Sequence, residues 1–275
     1  MIGVFPTAKR WLFWSWGLFL YLAVTASAEF RTFTNQDGNS IQARLVRIEG
    51  DLAVLQLEDQ SIHRYPIQQL SEEDQKFVRR EPILKALADE RMVEIRTRRT
   101  RLNRSAERGR TLDHHRLRHE RTEDTYALQI LFNNRSSVTL EGFTIAYRIF
   151  TIEDMNHQRA SGTAVSHGHQ PMLPSRRVTT DGVLVPKPIP PRSEMSLETK
   201  SFLLVSTDRQ ELDQRPGQPI GSVIRVRRGD TLQGIWVRIM DGDKIVREVV
   251  QPQSLRNPQL WTTRELETLI QEEMP

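Results

Sequence analysis

After Phe30 the apolar side chains of this chain recur at every second position in short runs, and Gly, Pro, Asn or Asp closes each run. A period of two belongs to a strand with one buried face, so most of the chain must fold into sheets. Phe143, Ile145, Tyr147 and Ile149 alternate strictly, and Leu55 and Leu57 share one face. Asp241-Gly242 between the runs 232–240 and 245–250 is the strongest short hairpin signal. The pattern predicts strands at 30–33, 41–48, 52–57, 62–65, 92–97, 125–132, 138–150, 162–165, 178–185, 195–205, 232–240 and 245–250. Alternation slips at Val46 and Ile48, which predicts a bulge.

The first four strands fall within about forty residues, a meander so tight that it must curl into a small barrel to hide its edges. Ser71 suits an N-cap, and Glu72, Glu73 and Asp74 suit the positive end of a helix whose apolar side is Phe77 and Val78. Pro82 should interrupt it, with a second short helix through Leu84 and Leu87 to about Arg91. The later strands suggest an immunoglobulin-like β-sandwich. Leu266, Leu269 and Ile270, behind a cap at Thr262 or Thr263, predict a short C-terminal helix.

Lys9 and Arg10, an uncharged apolar run from Trp11 to Val24, and Ala26-Ser27-Ala28 form the three parts of a secretory signal, with cleavage expected near Ala28. The rival reading is a retained anchor. No later stretch is apolar and long enough to span a membrane, so none is expected after cleavage. The expected location is periplasmic or extracellular. The chain has no Cys, which excludes disulfides, thiol nucleophiles and Cys-ligated metals. Removing the signal takes two of the net four positive charges, too small a remainder to imply a specific nucleic-acid partner.

Charge is nevertheless concentrated. Between Arg91 and Arg121 stand eleven Arg and four acids, with few apolar residues after Ile95. The segment 96–121 reads as a solvated loop or mobile insertion. Its Arg96, Arg98, Arg99, Arg101, Arg104, Arg108 and Arg110 are the candidate anion-binding residues, suited to a surface polymer, a lipid headgroup or nucleic acid. The bland alternative is a charged loop that protects a sheet edge.

Arg31-Thr32-Phe33-Thr34, Asp37-Gly38, Ile41-Gln42-Ala43, the aliphatic run to Leu57, and Pro66-Ile67-Gln68-Gln69-Leu70-Ser71-Glu72-Glu73-Asp74 resemble a known module over residues 30–78. It is similar to the first homology domain of the endocytic adaptor Sla-one, shortened to SHD-one. This chain departs from the family at two points: the family's aromatic is Phe33 rather than Trp, and Gln60 replaces the usual Gly in the last hairpin. The resemblance implies an SH3-like barrel. In the family that barrel recognises short Asn-Pro-Phe-x-Asp peptides, with adaptor and self-binding roles. For this chain it implies a small barrel that binds a protein or peptide, and no binding residue is carried across. The remainder resembles exported bacterial β-sandwich domains of unknown function.

The predicted fold class is therefore mainly β: a small SH3-like barrel, short helices and an immunoglobulin-like sandwich. The divisions are a signal at 1–28, a barrel at 29–70, a helical connector at 71–91, a sandwich at 92–255 carrying the Arg-rich insertion 96–121, and a tail at 256–275. No G-x-S-x-G, H-E-x-x-H or helical S-x-x-K occurs, and Glu72, Glu73 and Asp74 serve a helix end rather than glycoside chemistry. His114, His115 and His119, with His167 and His169, could gather on a metal only if their segments were fixed. Trp236 and Trp261 read as core. The sequons at Asn103 and Asn134 matter only where exports are glycosylated. The expectation is a non-catalytic, cofactor-free binding or scaffold protein. Electrostatic adhesion through the Arg segment is the alternative, and an unrecognised hydrolase the second.

Overall fold

A computed structural model describes residues 30–110, 118–156, 173–212, 219 and 222–273. The expected signal at 1–28 and the strand at 162–165 lie outside these residues. The chain divides into two compact units, Met1–Gln75 and Lys76–Pro275. Both are built mainly of antiparallel strands, as expected.

The first unit is a meander of β1 (Arg31–Thr34), β2 (Ser40–Glu49), β3 (Leu52–Leu57) and β4 (Ile62–Pro66), paired in that order. The expected bulge is present: the β2–β3 register shifts between Leu45 and Arg47, which turns Val46 out to solvent. A single 3-10 turn, Ile67–Gln69, follows β4 and brings the chain back to its start. There Ser71 N–H donates to Thr34 O at 2.8 Å, Gln36 N–H donates to Gln69 O at 2.9 Å, and Asn35 bridges Leu70. The sheet so closes into a small barrel over buried Phe33, Ala43, Leu45, Leu55, Ile67 and Leu70. Gln60 has a φ of 67°, the left-handed region that Gly enters without strain.

Helix α1 (Glu72–Ala88) begins in the first unit and continues into the second. The Ser71 hydroxyl accepts from Asp74 N–H at 3.2 Å, as an N-cap should. Asp74 does more. It is buried, accepts from Thr34 N–H at 2.7 Å, and pairs with Arg31 at 2.7 Å. The expected break at Pro82 is wrong: Pro82 lies inside one continuous helix. An internal proline costs about 3 kcal/mol. Beyond it Ala86 and Leu87 are buried in the core of the second unit with Ile83 packed beside them, and that burial offsets the cost.

The second unit is a sandwich of two sheets. One has the order β11 (Val223–Gly229), β10 (Phe202–Leu212), β6 (Arg118–Asn134), β5 (Val93–Arg110), and β9 (Ser193–Glu198) also pairs with β6. The other has the order β13 (Lys244–Gln251), β12 (Thr231–Asp241), β7 (Thr144–Glu153), β8 (Arg176–Leu184). The predicted strand 195–205 is in fact two, because Thr199 turns its hydroxyl to the Leu128 N–H at 2.9 Å and breaks the run. The predicted strand 138–150 begins only at Thr144, with Leu140 bridging Ile189 instead.

The alternation of β7 divides its side chains between two cores. Ile145, Tyr147 and Ile149 face inward with Ile130, Phe132 and Val237, whereas Ala146 and Phe150 face outward with Trp236 and Met240. The C-terminal segment covers that outer face through Trp261, which precedes α2 (Thr263–Glu273), and through Leu266 within it. Thr262 and Glu265 form a reciprocal cap at its start. Both Trp residues are core, with ring centres 6.0 Å apart edge to face. Arg238 lies between them, 4.8 and 4.5 Å from their rings, and pairs with Glu248 at 2.7 Å.

Candidate site on an arginine-rich blade

The Arg-rich segment is strand, not the expected loop or mobile insertion. Residues 96–110 belong to β5 and 118–121 to β6, paired from Val93–Asn134 to Arg110–Arg118. Beyond the hydrophobic core the two strands run on beside β10 and β11, forming a charged blade of four strands. The pairing has an electrostatic reason. Arg104 stands opposite Asp124, Glu107 opposite Arg121, and Arg108 opposite Glu120, and opposite charges across a strand pair stabilise it.

The faces are set by one bulge. The register shifts between Arg101 and Asn103, and the extra residue puts Arg101 and Arg104, three apart in sequence, on the same face. Arg99, Arg101, Arg104 and Arg108 share it, while Arg96 and Arg98 take the other. The seven candidates therefore do not form one patch. Arg96 pairs with Glu94 at 2.5 Å, and Arg135 also pairs with that carboxylate. The Arg99 guanidinium lies 4.7 Å from the Tyr126 ring centre. Arg101 and Arg104 approach Asp124 at 3.8 and 3.9 Å, and Arg108 approaches Glu120 at 3.3 Å. Arg98 has no ion-pair or ring partner among the described residues. The side chain of Arg110 lies outside them.

Strand β11 adds arginines that the sequence reading did not single out. Arg225 and Arg227 pair with Asp208 at 2.6 and 2.9 Å. The Arg225 hydrogen bond holds the Asp208 carboxyl below its ordinary value. Over 96–110, 118–124, 202–212 and 223–229 there are thirteen Arg and six acids, so the ion pairs leave a large positive excess. The signal for these extra arginines in the sequence is the short alternating run V-I-R-V-R-R at 223–228.

His119 stands opposite Gly109, and a Cβ at 109 would meet its ring at 2.2 Å, so glycine is what lets the imidazole lie flat on the blade. His114, His115, His167 and His169 lie outside the described residues. Among the described residues no three of His, Cys, Asp or Glu gather as a metal requires. Asn134 is a structural residue: it is fully buried, and its amide donates to the carbonyls of Val138, Ile189 and Pro190. The Asn103 sequon is exposed on β5.

Depressions also occur elsewhere among the described residues, and two bear on the argument. One of about 350 Å³ lies on the outer face of β5, β6 and β9 above Leu131, with Glu94, Arg96 and Glu194 at its rim. The other, about 100 Å³ and mostly apolar, lies on the small barrel among Phe33, Ile41, Tyr65 and Leu70. No helix of the described residues is long and apolar enough to cross a membrane.

No family model matches the chain, and no curated protein matches it. Among solved structures it is similar to Northeast Structural Genomics Consortium target SoR45, with 9% identity and a TM-score of 0.19, over 51% of this chain and 84% of that one. That likeness bears on neither fold nor function.

Proposed function

We propose that this is an exported, non-catalytic binding protein that holds an anionic partner on the Arg-rich blade. One observation carries the reading: thirteen Arg against six acids are fixed on four hydrogen-bonded strands instead of hanging from a loop. A guanidinium on an ordered strand has less freedom to lose on binding, and its planar fork suits carboxylate, sulfate or phosphate. The leader at 1–28 supplies export. Retention on an immobilised polyanion at low salt should collapse by about 0.5 M salt, because exposed charges are screened over a few ångströms there. Retention that ignores salt, or no retention at low salt, ends the proposal. Replacing Arg101, Arg104 and Arg108 together with Gln should abolish most of the retention while lowering stability only modestly, by about 0.2–1 kcal/mol for each cross-strand pair lost.

A second reading, the peptide-binding adaptor implied by the SHD-one resemblance, is favoured by the small barrel. The two ends of the resembling segment meet in the Arg31–Asp74 pair, and Gln60, where the family has Gly, takes the backbone conformation that Gly favours. The apolar depression beside Phe33 and Tyr65 could seat one side chain of a protein or peptide partner. Titrating an Asn-Pro-Phe-x-Asp peptide should then shift the amide resonances of Ile41 and Leu70. Unmoved resonances dismiss that reading and leave the blade untouched. No geometry among the described residues favours the hydrolase alternative.

A further inference from the structure

The outer edge of the blade offers more than charge. β5 ends its sheet and pairs only with β6 among the described residues. Every residue from Arg101 to Arg108 is exposed, whichever face it occupies. On a terminal antiparallel strand about half of the backbone N–H and C=O groups point away from the neighbour and remain open for pairing. Arg99, Arg101, Arg104 and Arg108 line this edge on one face, while Asn103, Ser105, Glu107 and Gly109 line it on the other.

We infer that this edge accepts an extended segment of another protein as an added strand, with Asp or Glu at alternate positions facing the arginine row. The inference rests on the anionic-partner reading and names the partner's chemistry. Arg99, Arg101 and Arg104 stand opposite residues of β6 that are two apart, because the bulge absorbs the extra residue. Side chains two apart on an added strand lie about 7 Å from one another on one face, so they meet these three in register. Arg108 lies one such step beyond Ala106. Backbone pairing supplies affinity and the alternate side chains supply choice, as in other strand-addition complexes. A second copy does not fit, because β5 against β5 sets arginine beside arginine, and like charges opposite each other destabilise a sheet. A sulfated or phosphorylated polymer meets the charge but has no amide ladder for the open N–H and C=O groups.

The test uses the purified protein and three probes: a labelled peptide with Glu alternating with Val or Thr, the same peptide with every backbone amide N-methylated, and polyphosphate. The inference expects the unmodified peptide to bind at least about tenfold more tightly than the methylated one, since two or more net hydrogen bonds are lost. It also expects slowed amide exchange within 101–108 when the unmodified peptide is bound. Equal affinity for the two peptides overturns strand addition, as does polyphosphate binding without peptide binding; in both cases the electrostatic reading stands. Failure of all three probes to bind at low salt overturns both.

Discussion

At its base the β5–β6 hairpin sets Ile95 opposite Phe132, and both are buried in the sandwich. Further along, the same face of the same two strands sets Arg104 opposite Asp124 and Arg108 opposite Glu120, with both arginines exposed. Backbone, hydrogen bonding and register are continuous between these regions apart from one bulge. What changes is whether a second sheet lies over the face. Where β7 and β12 cover it, dispersion and the hydrophobic effect hold the hairpin. Farther out, where no strand among the described residues lies over the face, cross-strand charge and the ladder itself hold the pair. A strand pair can thus be stabilised at one end by burial and held at the other by its ladder and charge pairs, with the arginines left exposed.

This contrast can be broken most severely at the base. Phe132→Ala should cost about 3–5 kcal/mol, read as a lowered midpoint in denaturant, because Phe132 is fully buried and the cavity cannot collapse fully. A loss below about 1 kcal/mol would mean that the sandwich does not anchor the hairpin. At the boundary, Tyr126 stacks on Phe202 with centroids 6.1 Å apart and carries Arg99 on its ring. Tyr126→Ala should cost about 1–3 kcal/mol in the same assay. Arg99→Ala removes only the cation–π contact and should cost about 0.5–1 kcal/mol. Farther out, Arg108→Ala should change stability by less than about 0.5 kcal/mol while weakening polyanion retention, since its side chain is 77% exposed. If retention were unchanged while stability fell, the assignment of roles along the hairpin would be reversed.

The smallest effect concerns acid. Asp208 titrates below its ordinary value because Arg225 and then Arg227 hydrogen-bond the ionised form. A lowered folded-state pKa gives stabilisation that is complete above the unfolded value, about 3.9, and is lost as pH falls through the lower folded value. Carboxyl carbon shifts followed by NMR should therefore place the Asp208 midpoint below about 3.9, and Arg225→Gln should move it upward. A midpoint unchanged by that substitution would show that the pair does not order β11 at the blade.

Much of the fold was legible because a period of two is a local property. The bulge at Val46, the Asp241-Gly242 hairpin, the Ser71 and Thr262 caps and the inward row Ile145, Tyr147 and Ile149 all follow from residues within a few positions of one another. The blade was misread because its strands lack an apolar face, which is what the period measures. A different signal was present: Arg104 with Asp124, Glu107 with Arg121, and Arg108 with Glu120 are complementary about one centre, as the two arms of a hairpin would be. Pro82 was misread because a proline's local cost is visible in sequence, whereas the burial of Ala86 and Leu87 that offsets it is not.

By itself the sequence determined that the chain is mainly β, where its tight turns and caps fall, and that its arginines concentrate in one stretch, since propensity, periodicity and composition act between near neighbours. Only the tertiary structure decided that this stretch is paired strand, that a bulge gathers Arg101 and Arg104 on one face, and that β11 contributes Arg225 and Arg227 beside Asp208. Those outcomes depend on partners brought together from distant parts of the chain, whose Coulomb and hydrogen-bond energies exist only once the sheet has formed.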